Sequence, residues 1–182
     1  MEKSRNILAV CGEPGTGKTT LFRKFMENYS WEKREDVKLV NTMYCEELDL
    51  HIIGKYEEGE VFAGTDRLSM AVLPEAIKFI QSTTSNIMFE GDRLTSTKFF
   101  DFLICLPETE VKIIVTKAKK ETLKERYEER GSNQSETFLK GRQTKISNIS
   151  GNFDYMDYIE TYSNETLQDQ EKILDSINEF LL

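Results

Sequence analysis

The feature that most constrains the fold of this chain is a glycine-rich turn at residues 12–20, which reads GEPGTGKTT. It matches the pattern G-x-x-x-x-G-K-[S/T] in full, which is the pattern of a phosphate-binding loop, or P-loop. The turn follows a short apolar run at 5–12 that is typical of a strand buried on both faces. It precedes apolar residues at helical spacing, which predict a helix from about 18 to 29. A loop with these flanks predicts a nucleotide-binding α/β domain.

The residue types in the loop explain how it would hold a nucleotide. Glycines let successive backbone N–H groups converge on phosphate oxygens, and the N-terminus of the following helix adds a partial positive charge. Lys18 is predicted to reach the terminal phosphates, and the Thr19 hydroxyl to bind Mg²⁺. We therefore predict a site for ATP and Mg²⁺ whose donor-binding residues are Gly12, Gly15, Thr16, Gly17, Lys18, Thr19 and Thr20.

The rest of the chain alternates between apolar strand patterns and helical patterns. Strands are predicted at 37–43, 86–90 and 111–117, an extended arm at 50–56, and helices at 70–81, from about 99 to 107, and at 119–130, 135–149 and 167–181. Such alternation predicts a mainly parallel sheet covered by helices on both faces. The expected fold class is therefore α/β, a three-layer P-loop NTPase fold with a helical lid, in a single domain that spans 1–182.

Charge and cysteine content narrow the class of protein further. The net charge of −8 argues against a general nucleic-acid coat protein. Between residues 112 and 145, however, ten Lys and Arg face five Asp and Glu, which suits the binding of one polyanionic ligand. The three cysteines are widely spaced and odd in number, and no apolar run is long enough for a membrane span. These features predict a cytoplasmic protein with no membrane partner.

A second group of polar residues follows the strand at 86–90. Glu90, Asp92 and Arg93 stand where that strand ends, in the sequence FEGDR. If the strand lies beside the P-loop strand, both carboxylates lie near the metal and the transferred phosphoryl group, and Arg93 points at phosphate. One carboxylate would bind the metal, for which Asp92 is a candidate, and the other would accept a proton, but the sequence leaves their roles open. The alternative is a loop ion pair between Asp92 and Arg93.

The pair Asp-Arg occurs a second time, at Asp66 and Arg67, within a segment (about 44–72) that we expect to bind the acceptor. Arg67 is predicted to hold an anionic acceptor, and Asp66 to orient Arg67 or a sugar hydroxyl. Tyr56 is a further candidate because aromatic faces stack on bases. The alternative is that Thr65 or Asp66 caps the following helix.

Three arginines lie in the basic segment from 119 to 149, which we call the lid. Arg126 and Arg130 precede the break at residues 131–133, and Arg142 follows it. This arrangement is expected of a mobile element that closes over phosphates and stabilises charge on the transferred group. The alternative is local ion pairing on an exposed helix.

These motifs together give the chain a family resemblance. It resembles P-loop kinases of the nucleoside-monophosphate kinase type, with thymidylate kinases nearest, through the P-loop, FEGDR and the lid arginines. The combination of GTDRLSM and FEGDRL is also similar to phage-type kinases that phosphorylate 5-hydroxymethyluracil in DNA. The spacing around Asp66 departs from the usual thymidylate kinase spacing, which leaves the acceptor open.

The sequence therefore predicts an ATP-dependent kinase that acts on a nucleotide-like acceptor, either a deoxynucleoside monophosphate or a modified base in nucleic acid. A GTPase would carry Asn/Thr-Lys-x-Asp after the fourth strand, whereas Thr116 and Lys117 are followed here by Ala118 and Lys119. The rival prediction is an ATPase or an ATP-binding regulatory protein without a small-molecule acceptor. The oligomeric state is not predicted.

Overall fold

The structure is a computed structural model in which residues 4–182 are described. In this range the chain forms one sheet and six α-helices. The strands are β1 (Arg5–Gly12), β2 (Glu32–Val37), β3 (Val40–Cys45), β4 (Leu50–Ile53), β5 (Asn86–Glu90), β6 (Thr109–Lys117) and β7 (Ile159–Ser163). The helices are α1 (Lys18–Met26), α2 (Val72–Ser82), α3 (Thr97–Ile104), α4 (Lys120–Glu129), α5 (Glu136–Ser150) and α6 (Leu167–Leu181).

The strand that precedes the P-loop lies inside the sheet, whose order is β2-β3-β4-β5-β1-β6-β7. β1 pairs in parallel with both β5 and β6, and β4 and β7 extend the parallel part on either side. Val10 is opposite Glu90, and Gly12 is opposite Thr116. The strand that carries Glu90 is therefore the neighbour of the P-loop strand, as predicted, and the polar ends of three strands meet at one edge.

Helices cover both faces of this sheet, which confirms the three-layer α/β fold. Alternate residues of β1 point to opposite faces: Ile7 and Ala9 pack in one core and Leu8 and Val10 in the other. The first core is completed by α2, α3 and α5, and the second by α1 and α6. No helix in the described range has the length and apolar composition needed to span a bilayer.

The predicted single strand at 37–43 is wrong, because the chain reverses within it. β2 and β3 form an antiparallel hairpin in which Val37 pairs with Val40, and Leu39 has a positive φ of 71° at the turn. The apolar run that resembled one buried strand thus spans a turn. β2 itself, with the sequence EKREDV, is a charged edge strand and was missed because its first five residues are all charged.

The segment expected to bind the acceptor, 44–72, is not a separate insertion along its whole length. Its first part ends β3 and forms β4, which lies between β3 and β5 in the sheet. The loop that follows, residues 54–64, crosses toward the P-loop edge and is joined at its ends by hydrogen bonds between Lys55 and Gly64. The predicted helices are confirmed, with ends shifted by up to three residues, and Pro74 lies in the first turn of α2.

The central position of β1 predicts a strong dependence of stability on its apolar residues. Leu8→Ala removes a side chain with no exposed surface and should lower the free energy of unfolding by about 2–5 kcal/mol. The matched control is Leu167→Ala, since Leu167 is 74% exposed and its loss should cost no more than about 0.5 kcal/mol. Urea unfolding of both variants without nucleotide measures the difference, and equal costs would contradict the assignment of β1 to the core.

Candidate active site

The P-loop is a tight turn between β1 and α1. Gly15 and Gly17 have φ values of 82° and 84°, which side chains other than glycine rarely adopt. Thr16 is fully buried. Its hydroxyl donates a hydrogen bond to the carbonyl of Glu13 (2.8 Å) and accepts a hydrogen bond from the Thr116 hydroxyl (2.8 Å). The Thr16 side chain therefore braces the loop from behind instead of facing a ligand.

The P-loop carbonyls are held from outside by α4 and by the end of β7. Arg126 donates to the carbonyls of Gly15 (2.7 Å) and Asn164 (2.9 Å), and the Tyr127 hydroxyl donates to the carbonyl of Pro14 (2.6 Å). The Asn164 amide donates to the carbonyl of Thr16 (2.7 Å). Arg126, predicted to close over phosphates, is thus engaged at both ends of its guanidinium group with backbone oxygens. Tyr127 and Asn164 were missed, although Asn164 directly follows a strand that ends at the same sheet edge.

Lys18, Thr19 and Glu90 meet at the start of α1. The Lys18 ammonium donates to the carbonyls of Gly12 (2.8 Å) and Glu13 (3.0 Å), and burial lowers its pKa while the Glu90 and Asp66 carboxylates oppose that shift. The Thr19 hydroxyl donates to Glu90 Oε1 at 2.9 Å. The same oxygen accepts the Tyr56 hydroxyl at 3.1 Å. Burial raises the pKa of Glu90 from 4.5 to about 7, although Lys18 and the Thr19 hydrogen bond act in the other direction.

Tyr56 is placed differently from the sequence prediction. It is 7% exposed, its ring stacks on Phe22 with 6.1 Å between centroids, and it does not line the cavity described below. Because the ring packs in the core, its placement does not suit stacking on an acceptor base. The contact of its hydroxyl with Glu90 suits a role in orienting that carboxylate.

The two Asp-Arg pairs bind each other. Asp66 Oδ1 accepts the backbone N–H groups of Asp92 (2.8 Å) and Arg93 (3.2 Å). In return the Arg93 guanidinium donates to the carbonyls of Leu68 (3.2 Å) and Asp66 (3.4 Å). We call this reciprocal contact the Asp66–Arg93 clamp. It fixes the loop after β5 against the loop before α2, so the side chain of Arg93 is anchored to backbone, whereas the sequence predicted a direct contact with phosphate.

The alternative interpretation of Asp66 and Arg67, that Thr65 or Asp66 caps the following helix, is not what the structure shows. α2 begins at Val72, so neither Thr65 nor Asp66 caps it, and the Thr65 hydroxyl donates instead to the Glu90 carbonyl (2.9 Å). Arg67 forms an ion pair with Glu60 and does not line the cavity.

Asp92 pairs with two cations of α5 and not with Arg93. Its Oδ2 lies 2.8 Å from an Arg142 nitrogen, and its Oδ1 lies 2.9 Å from the Lys145 nitrogen. Lys145 was missed, although it lies three residues after Arg142 and so on the same side of the helix. Both oxygens of Asp92, a predicted metal ligand, are thus held by cations, and Glu90 is the carboxylate in contact with Thr19.

A cavity of about 460 Å³ joins these groups. Most of the predicted site residues line it, namely Gly12, Gly15, Gly17, Lys18, Thr19, Thr20, Asp66, Glu90, Asp92, Arg93, Arg130 and Arg142. The opposite wall was missed and consists of Val61, Phe62 and Ala63 before the clamp and Phe138 and Ile146 on α5. A second cavity of about 380 Å³, on the other side of the P-loop, is lined by Arg126, Arg130 and the segment 164–167.

The oxygen ligands of the site suit Mg²⁺ with a nucleotide. Thr19 supplies a hydroxyl and Glu90 a carboxylate, which are hard ligands that Mg²⁺ accepts. Within residues 4–182 no group of three or more His, Cys, Asp or Glu side chains is placed to hold a metal. An ion at Thr19 would therefore take its other ligands from phosphate and water, as Mg²⁺ commonly does.

Comparison with known proteins gives a family match and distant structural similarities. A family model described as P-loop Nucleotide Kinase3 matches residues 3–180. No curated protein sequence matches the chain. Among solved structures, a gluconokinase from Sinorhizobium meliloti 1021 has a TM-score of 0.49 and 11% identity, with 98% of each chain covered. An uncharacterized protein from Eubacterium ventriosum ATCC 27560 has a TM-score of 0.44 and 16% identity, with 97% of this chain and 98% of the other covered.

The pKa of Glu90 predicts a pH dependence of stability. Between pH 4.5 and about 7 the folded protein keeps a proton on Glu90 that the unfolded chain has lost, so this residue's contribution to the free energy of unfolding falls as pH rises through that window. Glu90→Gln removes the titrating carboxyl group and with it this pH dependence of the free energy of unfolding. Without Mg²⁺ and nucleotide, the stability of the variant relative to wild type should increase from pH 5 to pH 8, by roughly 1.4 kcal/mol for each unit of pKa shift. Parallel pH profiles would contradict the burial of this carboxylate.

The Asp66–Arg93 clamp predicts a difference between two substitutions of Asp66. Asp66→Ala removes the acceptor of two backbone N–H groups that water can partly satisfy, and should lower the free energy of unfolding by about 0.5–1.5 kcal/mol. Asp66→Asn keeps a carbonyl oxygen at the same place and should cost less than half as much. Thermal unfolding of the two variants makes the comparison, and an equal loss in both would show that the clamp depends on charge alone.

Proposed function

The chain belongs to the P-loop nucleotide kinase family whose model it matches, and on that premise we propose that it is an ATP-dependent kinase for a nucleotide-like acceptor. The observation that supports this proposal best is the continuity of the larger cavity. It extends from the P-loop to a separate wall made by Phe62, Phe138 and Ile146, with Asp92 and Arg142 along its lining. A second substrate can therefore lie next to the terminal phosphate of the donor.

The donor half of the cavity is the P-loop and the residues that support it. Lys18, the loop N–H groups and Arg130 lie where they can hold the phosphates, and the smaller cavity beside Arg126 and Asn164 suits the rest of the nucleotide. Thr19 and Glu90 would hold Mg²⁺, which when bound neutralises phosphate charge. Tyr56 and Thr65 orient Glu90 from two sides, through its carboxylate and its carbonyl.

The proposed reaction is an in-line phosphoryl transfer. An oxygen of the acceptor bonds to the γ-phosphorus while the bond from that phosphorus to the β–γ bridging oxygen breaks, and ADP leaves with the bridging oxygen. Where the attacking group is a hydroxyl, its proton passes to a carboxylate, and Asp92 lies on the acceptor side of the cavity. The lid cations Arg130 and Arg142 line the same cavity and can stabilise charge on the transferred group.

The acceptor we propose is a deoxynucleoside monophosphate or a modified pyrimidine such as 5-hydroxymethyluracil in DNA. Phe62 and Phe138 both line the cavity and are 56% and 38% exposed. Aromatic faces next to cationic side chains suit a flat base that carries an anionic group.

A panel of acceptors tests this function directly. ATP consumption is measured with each deoxynucleoside monophosphate and with DNA that contains 5-hydroxymethyluracil, and the γ-phosphate is labelled. We expect one acceptor to stimulate turnover and to receive the label. Hydrolysis that no acceptor stimulates would support an ATPase, and nucleotide binding without turnover would support an ATP-binding regulatory protein.

Lys18 provides the sharpest test of the donor site. Lys18→Ala should reduce turnover by about 10²–10³-fold or more, because it removes a cation from the phosphates. Lys24→Ala is the matched control, since Lys24 lies exposed on the same helix and away from the cavity. Initial rates of both variants, with circular dichroism to verify folding, give the comparison. Near-normal rates in Lys18→Ala would refute the donor-site assignment.

A further inference from the structure

We propose that Arg142 and Lys145 form a binding site for the anionic group of the acceptor, and that Asp92 occupies this site until the acceptor arrives. We call the two cations the anion seat. The inference rests on the proposed function, because it assigns the ligand of the seat to the acceptor of the kinase. It also adds Lys145 to the site and gives Asp92 a role in the state without acceptor.

The geometry of the seat is that of two cations around one anion. Arg142 and Lys145 lie on neighbouring turns of α5 and contact different oxygens of the Asp92 carboxylate, at 2.8 and 2.9 Å. Lys145 also donates to the Asp92 carbonyl at 3.3 Å. Two donors on two oxygens is the arrangement that a phosphate or carboxylate group of a ligand would adopt.

The charge of the seat is not balanced by Asp92. Two positive charges face one carboxylate, and the side chains of Arg142, Lys145 and Asp92 are 30%, 30% and 27% exposed. The Asp66 carboxylate, which also lines the cavity, accepts the N–H groups of Asp92 and Arg93 and is committed to the clamp. Partial burial strengthens the attraction of the remaining positive charge for an anion, since water screens it less than at an open surface.

The position of the seat favours the acceptor over the donor. The donor phosphates have Lys18 and the P-loop, whereas Arg142 lines the cavity beside the apolar wall of α5. Lys145 does not line the cavity itself and reaches it through its contact with Asp92, which does. The Arg142 guanidinium lies 4.5 Å from the centroid of the Phe138 ring, so an anion bound there is next to an aromatic face. Arg93 is less available, because its guanidinium donates to the carbonyls of Leu68 and Asp66. The chemical class that fits is a molecule with a flat apolar part and a phosphate or carboxylate group.

Occupation of the seat by Asp92 has a thermodynamic consequence. An external anion binds only those molecules in which the cations are released from Asp92. Its apparent affinity is therefore the intrinsic affinity multiplied by the fraction of such molecules. Removal of the Asp92 charge should therefore tighten anion binding. A salt bridge that merely docks α5 predicts the opposite, because its loss would loosen the helix that carries both cations.

The experiment measures binding of inorganic phosphate to protein whose P-loop is saturated with Mg²⁺ and a non-hydrolysable ATP analogue, by isothermal titration calorimetry. Arg142→Gln and Lys145→Gln should each weaken phosphate binding by roughly tenfold or more, and Asp92→Asn should tighten it by roughly tenfold. Lys140→Gln is the matched control, since Lys140 is exposed on the same helix outside the cavity, and it should bind as wild type does.

Two outcomes would overturn the proposal: unchanged or weaker phosphate binding in Asp92→Asn, and wild-type binding in Lys145→Gln. Misfolding cannot imitate the result expected of Asp92→Asn, because a damaged protein does not bind phosphate more tightly. Failure of the seat is also distinct from failure of the kinase assignment. Binding of the ATP analogue and the acceptor panel test the kinase, whereas the opposite effects of Asp92→Asn and Lys145→Gln test the seat.

Discussion

The parallel pairing of β1 with β5 and β6 is the constraint on which the site depends. Its register sets Val10 opposite Glu90 and Gly12 opposite Thr116. The contact between Thr19 and Glu90 and the contact between Thr16 and Thr116 both follow from that register. Because alternate side chains of these strands pack in two different cores, a shift by one residue would move each of them into the opposite core, so the packing also fixes the distances at the site.

Around this edge the polar groups form two connected sets. One set surrounds Glu90, where burial would be unfavourable without the hydroxyls of Thr19 and Tyr56. The other joins Asp66, Asp92 and Arg93 to the cations of α5. The repeated Asp-Arg sequence is explained by the second set, because one copy supplies the carboxylate that orders the loop of the other.

The sequence was sufficient to predict the α/β class, the P-loop and the proximity of Glu90 to it, since these depend on strong local patterns. It was insufficient where side chains from distant segments meet. Nothing near Tyr56 in the sequence indicates that its hydroxyl contacts Glu90, and nothing near Asp92 indicates that its partners are fifty residues away on α5. The hairpin at Leu39 was missed because apolar residues flank its turn, and a buried strand has the same composition.

The attachment of α4 to the P-loop gives the lid two parts that can behave independently. Arg126 and Tyr127 connect α4 to the loop carbonyls, whereas α5 is held by Asp92 and by Ile146 and Ile149 in the core. The chain between the two helices is not helical from 131 to 135. In the proposed kinase, motion of the N-terminal part of α5 would therefore not require α4 to leave the nucleotide. This architecture is compatible with a ternary complex that forms by either order of addition, with exchange of one substrate while the other stays bound.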